Sequence, residues 1–206
     1  MKLIDVQGEY NAIFSLGGRC LASYRLVQYR LRLYTGVIDW MLSPKLLKVI
    51  DLLENRFGDF MKKENLLWDG YDVSGKCLLL TDKVYDITSV HDFPITRNTP
   101  ENWVMYEEFR VTLDRRIQRF LNKLETCQKI LFVRIGGTYE EAKRLETVLS
   151  KMIQGEFRVL LINDIDGDTV VEYDWDLLYT CSIGMPLLLD DRLWGQVLQK
   201  IFHSAI

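Results

Sequence analysis

At 206 residues the chain has the length of one ordinary domain with a full apolar core, and its mix of 48% apolar and 27% charged residues is that of a globular protein. A net charge of −3 and an isoelectric point near 5.5 argue against nucleic-acid binding, which calls for a basic face. No run reaches the ~20 apolar residues of a membrane span. The opening MKLIDVQGEYNAIFSLGG carries Asp5 and Glu9, and its apolar stretch is too short for a signal peptide. Cys20, Cys77, Cys127 and Cys181 never form a C-x-x-C pair, so free thiols and a cytoplasmic location are expected.

The first strong element is a strand over 10–16, closed by Gly17-Gly18. From Cys20 the spacing of Leu21, Tyr24, Val27 and Leu31 predicts a helix with those residues on its buried face. A second helix has Ser43 as its N-cap, Pro44 in its first turn and Gly58 beyond its end. Its buried stripe is Leu46, Leu47, Ile50, Leu53 and Phe57. Residues 64–75 read as a loop, 77–80 and 84–87 as short strands. A long helix then begins at Thr99-Pro100 and buries Trp103, Tyr106, Phe109, Leu113, Ile117, Phe120 and Leu124.

The clearest segment follows. Residues 129–135 form a buried strand, Gly136-Gly137 turns the chain, and Thr138 with Glu141 makes a capping box. That helix carries Leu145, Val148, Leu149 and Met152 on one face, and a second buried strand runs over 157–162. Strand, helix and strand make a βαβ unit at 129–162, which implies two parallel strands and a right-handed crossover. Further strands are expected at 169–173 and 177–181, and a last helix at 191–202. No repeat or Pro/Gly/Ser-rich linker divides the chain. Residues 1–206 are therefore expected to form a single three-layer α/β domain, a parallel or mixed sheet with helices on both faces.

Ligands of such sheets gather at the carboxyl ends of the strands. The turn there runs Ser15-Leu16-Gly17-Gly18-Arg19-Cys20, and it puts Cys20 at a helix N-terminus, which lowers a thiol pKa. Arg19 is one of four arginines between Tyr10 and Ile38, a stretch without acids. A buried, inert Cys20 with glycines that only shape a turn is the plainer alternative. A thiol nucleophile needs an imidazole. His203 falls near the chain end, where fraying is common, so His91 is the candidate. Asp164, Asp92 or Asp39 could orient it, with Asp164 preferred. Arg134 could hold a substrate carboxylate or form a structural ion pair. The acids Asp164, Asp166 and Asp168 offer a different reading, a divalent-cation site for a sugar-nucleotide transferase. Gly136-Gly137-Thr138 lacks the lysine of a phosphate-binding loop and reads as a turn.

Ser15-Leu16-Gly17-x-x-Cys20, the Arg- and Leu-rich helix after it, Ile38-Asp39-Trp40, His91-Asp92-Phe93 and the strand KILFVRI at 129–135 together resemble a bacterial family of unknown function described as papain-like cysteine peptidases. The resemblance covers most of the chain. It implies Cys20 as nucleophile and His91 as its partner. The expected function is a cysteine-dependent hydrolase or acyl transferase acting on a small-molecule or peptide substrate, without metal or cofactor. Ser15, Gly17, Gly18, Arg19, Asp39 and Arg134 are the expected substrate- or oxyanion-binding set. The competing class is a non-catalytic ligand- or protein-binding module of the same fold.

Overall fold

The computed structural model describes residues 1–187 and 191–204. In chain order, β1 (Gly8–Tyr10) and β2 (Ala12–Ser15) precede α1 (Leu21–Gln28), β3 (Met41–Leu42) and α2 (Leu46–Glu54). Then come β4 (Leu66–Tyr71), β5 (Leu78–Asp82), β6 (Ile87–Ser89) and the long α3 (Tyr106–Thr126). The chain continues with β7 (Lys129–Ile135), α4 (Tyr139–Met152), β8 (Glu156–Asp164), β9 (Val171–Glu172) and β10 (Thr180–Met185). Finally come α5 (Asp191–Leu198) and β11 (Ile201–His203).

The central sheet has the order β2-β7-β8-β10-β9, parallel except for β9. Because side chains alternate along a strand, each strand feeds two cores. In β7, Ile130 and Phe132 enter one core with α2, α3 and α4, while Leu131, Val133 and Ile135 enter the other with α1 and α5. This is the expected three-layer α/β arrangement. An antiparallel sheet, β3-β6-β5-β4, adds Leu66, Leu78, Leu80 and Ile87 to the first core. A parallel β1–β11 pair flanks the second. No helix among the described residues is long and apolar enough to cross a membrane.

The βαβ unit forms as the sequence predicts, with β7 and β8 parallel and in register from Lys129↔Glu156 to Ile135↔Ile162. Its capping box is intact: Thr138 Oγ1 accepts the Glu141 N–H at 3.3 Å and a Glu141 carboxylate oxygen accepts the Thr138 N–H at 2.8 Å. Thr138→Ala is therefore expected to cost about 1 kcal/mol, read as a lower urea midpoint at unchanged m-value.

Other expectations shift. The strand at 10–16 breaks at Asn11, whose backbone and side chain both bond Lys129 as the chain passes from the β11 partner to the β7 partner. Residues 64–75 are not a loop, since they carry β4. Its Leu67, Trp68 and Tyr71 are exposed, so no apolar alternation marks it. Residues 83–86 form a turn, not strand, and α3 starts at Tyr106 rather than Thr99, with Trp103 only packed beside it. In α1 the buried face is Ala22, Ser23, Arg25 and Leu26, whereas Tyr24 and Val27 are exposed.

Candidate active site

After β2 the chain enters α1 on one face of the sheet, and after β7 it enters α4 on the other. The carboxyl ends of these neighbouring strands therefore part and leave a crevice. A groove of about 340 Å³ lies there, bounded by Gly18, Arg19, Leu42, Pro44, Ile135 and Asp164. The turn beside it is tightly specified. Ser15 Oγ accepts the Gly17 N–H at 3.0 Å, and Ser43 Oγ accepts the Gly18 N–H at 2.8 Å. Gly17 and Gly18 sit at φ of +74° and +97°, where a side chain is strained. A Cβ on Gly18 would meet the Ile135 carbonyl oxygen at 2.1 Å.

This turn delivers Cys20 to the residue before α1, half-buried beside the unbonded first N–H groups of the helix. Two distant loops converge on it. In the loop at 32–40, buried Asp39 accepts the Gly36 N–H at 2.7 Å and Arg32 Nη1 at 2.9 Å. Arg32 also lies 4.9 Å over the Trp40 ring. Trp40 in turn stands edge-on to His91, with ring centroids 6.0 Å apart. In the loop after β6, Ser89 Oγ donates to Asp92 at 2.6 Å. Burial pushes the Cys20 thiol pKa up, its own amide opposes that, and the Asp39 and Asp92 carboxylates raise it further. The expectation of a depressed thiol is thereby corrected. Burial and two carboxylates, whose approach is a tertiary fact, prevail over the lowering effect of the Cys20 amide.

Residues 11–167 match the model of a protein family described as "Putative papain-like cysteine peptidase". The chain belongs to that family. The matched span of this papain-like peptidase family member contains Cys20, Asp39, His91, Asp92 and the βαβ unit. No curated protein and no solved structure matches the chain.

The remaining candidates of this family member divide into groups near the thiol and groups that build the turn. The Cys20 sulfur and the His91 ring make no hydrogen bond to each other in this structure, and the His91 ring has no hydrogen-bond partner among the described residues. Asp164 stands in the groove, where its carboxylate accepts the Leu187 N–H at 3.2 Å and lies 3.6 Å from Arg19. Its partners are thus not an imidazole. Arg134 is fully buried and donates to the carbonyls of Leu16, Ser43 and Gly136 and to Ser43 Oγ. Burial pulls its pKa down to about 10. It braces the turn from beneath and is not available to a substrate. Ser43 is drawn into the same assembly and does not cap α2, whose N-cap position is Lys45. Because Ser43 takes the Gly18 N–H, that amide is lost as an oxyanion donor; Ser15 and Gly17 likewise serve the turn.

His203 is not frayed: it lies in β11, with Nε2 2.7 Å from the Leu31 carbonyl oxygen. Among the other thiols, Cys127 and Cys181 are buried, and burial pushes Cys181 up to about 12. Cys77 lies behind the His91 backbone, its sulfur 3.9 Å from the His91 carbonyl oxygen. No group of three or more metal-ligating side chains occurs among the described residues, so Asp164 and Asp166 lack a third ligand for a cation. Arg116, half-buried on α3, is within the field of Asp92 and Asp39, and the sequence does not single it out.

Proposed function

We propose that the protein is a cysteine-dependent hydrolase or acyl transferase acting on an amide or ester. Cys20 sulfur attacks the carbonyl carbon as its proton passes to the His91 imidazole, forming a tetrahedral intermediate. The amide N–H of Cys20, with that of Arg19, stabilises the oxyanion. The proton then passes from His91 to the leaving amine or alcohol as the carbon–leaving-group bond breaks. Water or another acceptor takes the acyl group and restores the thiol. No cofactor enters this cycle.

The observation that carries the reading is the convergence of the Trp40 and His91 loops on a helix-initiating cysteine, in a chain of the papain-like peptidase family. Asp39 and Asp92 disfavour a lone thiolate. They do not oppose proton transfer from sulfur to an imidazole inside the cluster, because its net charge is unchanged. The proton therefore moves with the attack rather than before it. Catalytic hydrogen bonds that are open without substrate commonly close in the complex, and Asp92, next to His91 in the chain, is the carboxylate that would orient the ring. A cytoplasmic location, where thiols stay reduced, suits this chemistry.

The raised thiol pKa and the open sulfur–imidazole contact favour the second reading, a binding module using the same crevice. Incubation with p-nitrophenyl acetate separates the two. A nucleophilic Cys20 gives a burst of p-nitrophenol and an acetyl group mapped to Cys20 by mass spectrometry, both lost in Cys20→Ala. Acetylation of Cys20 without a burst and no faster than that of the partly exposed Cys77 would support the binding module.

A further inference from the structure

No step assigned to Cys20 or His91 uses the groove at the carboxyl ends of β2 and β7, yet two of its walls run into that site. One wall is Arg19, the chain neighbour of Cys20, so the two α-carbons stand about 3.8 Å apart. The other is Leu42, two residues after Trp40, whose ring stands edge-on to His91. Two residues of chain span at most about 7 Å. The walls are fixed to each other: Ser43 Oγ accepts the Gly18 N–H at 2.8 Å, and the Ser43 N–H donates to the Gly18 carbonyl at 3.2 Å. A substrate whose carbonyl reaches Cys20 therefore has about 340 Å³ of preformed groove beside it. Its lining is mainly hydrocarbon, from Leu42, Pro44, Ile135 and Leu187, and Leu42 is 40% exposed. At Gly136 in the same lining an added Cβ would meet no atom within 4 Å, so the space there is free of protein. The charged side chains of the lining, Arg19 and Asp164, lie 3.6 Å apart and answer each other, and Asp164 also accepts the Leu187 N–H. Neither asks a ligand for a counter-charge, which leaves apolar contact as the selecting force.

We propose that this groove receives an uncharged hydrocarbon group of the substrate, so that the acyl compound acted on at Cys20 carries a chain of several carbons close to the carbonyl attacked. The assignment rests on Cys20 being the nucleophile and adds the substrate's apolar class to that reading.

A series of N-alkylmaleimides (ethyl, butyl and hexyl) tests it on the full chain, with the rate at Cys20 followed by peptide mass mapping and glutathione as the reference thiol. Full transfer of two methylenes from water is worth about 15-fold, and a groove open on one side recovers about fourfold of it. The hexyl-to-ethyl rate ratio at Cys20 is therefore expected to exceed that of glutathione by about sixteenfold. Leu42→Asn should bring the excess below about fourfold. Leu67→Asn, the same change at an exposed leucine of β4, should keep all of it. N-(5-carboxypentyl)maleimide, close to the hexyl reagent in length but anionic at its end, should react more slowly than the hexyl reagent. Matching thermal midpoints establish that the variants are folded, and Leu42→Thr, which suits a strand, gives the same reading if Leu42→Asn is unstable.

A chain-length ratio at Cys20 equal to that of glutathione overturns the proposal. So does a ratio that the Leu42 variants leave unchanged, or one that Leu67→Asn lowers equally, which makes the effect general adsorption. A carboxylate-ended reagent that outpaces the hexyl one also overturns it, because the groove then reads charge through Arg19. A Cys20 unreactive toward N-ethylmaleimide sinks the nucleophile reading itself, and that outcome is visible without reference to chain length.

Discussion

Gly18→Ala is expected to destabilise the fold by about 3 kcal/mol and to disable the thiol site together with it. An L side chain at φ +97° is strained, and its Cβ would stand 2.1 Å from the Ile135 carbonyl oxygen. The left-handed backbone costs about 1 kcal/mol for a non-glycine residue, and overpacking a tight site adds about 1–3 kcal/mol. The obstacle is main chain at the end of β7, so it cannot rotate aside. Relief requires the turn to lift off the sheet, which would break the Gly18–Ser43 hydrogen bonds and move Cys20 away from its loops. Urea denaturation and Cys20 alkylation of the same sample report the two consequences. Wild-type stability in the variant would show that the turn is more pliant than its geometry implies.

Arg134→Leu is expected to be at least as damaging, about 3–5 kcal/mol. Replacing a buried charge by an apolar side chain can be harmless when its partners are replaced too. Here the partners are main-chain carbonyls of Leu16, Ser43 and Gly136 and cannot be removed. Each acceptor left dry costs about 1–3 kcal/mol, against a total stability of about 5–15 kcal/mol for a domain. Arg134→Lys should recover less than half of the loss, because one ammonium cannot span acceptors on three segments. A melting temperature equal to wild type in either variant would contradict the bracing role.

What could be read from residues alone follows physical locality. The unit of β7, α4 and β8 is visible because buried parallel strands are continuously apolar and because its cap is closed by residues three apart, Thr138 and Glu141. The edge strand β4 is invisible because its exposed Leu67, Trp68 and Tyr71 show no alternation. Ser43 has the sequence look of a helix cap, yet its hydroxyl is claimed by Gly18 and by Arg134, far along the chain. The buried face of α1 was hidden for a similar reason: Ser23 and Arg25 occupy inward positions that a hydrophobic pattern assigns to Tyr24 and Val27.

The candidate site divides along the same line. A cysteine at the start of a helix after a glycine turn is a local pattern, and it is where the sequence places it. The thiol's pKa is not local, because burial and the arrival of Asp39 and Asp92 set it. Asp164 looked like an orienting carboxylate at a strand end, but Arg19 and the Leu187 amide engage it first. Arg119 lies in a helix crowded with charge, where any one arginine reads as solvated surface. Its hydrogen bond to the Thr35 carbonyl and its place over the Tyr34 ring, in the loop at 32–40, distinguish it.

The decisive measurement is the pH dependence of Cys20 alkylation by iodoacetamide in wild type and His91→Ala. A thiol whose pKa is raised is protonated at neutral pH, so without a base its reactivity appears only at alkaline pH, above the ordinary thiol range. If His91 takes the proton, wild type at neutral pH should react about 100-fold faster than His91→Ala, and the variant should regain its rate only at alkaline pH. Superimposable profiles for the two proteins would contradict a cysteine–histidine active site.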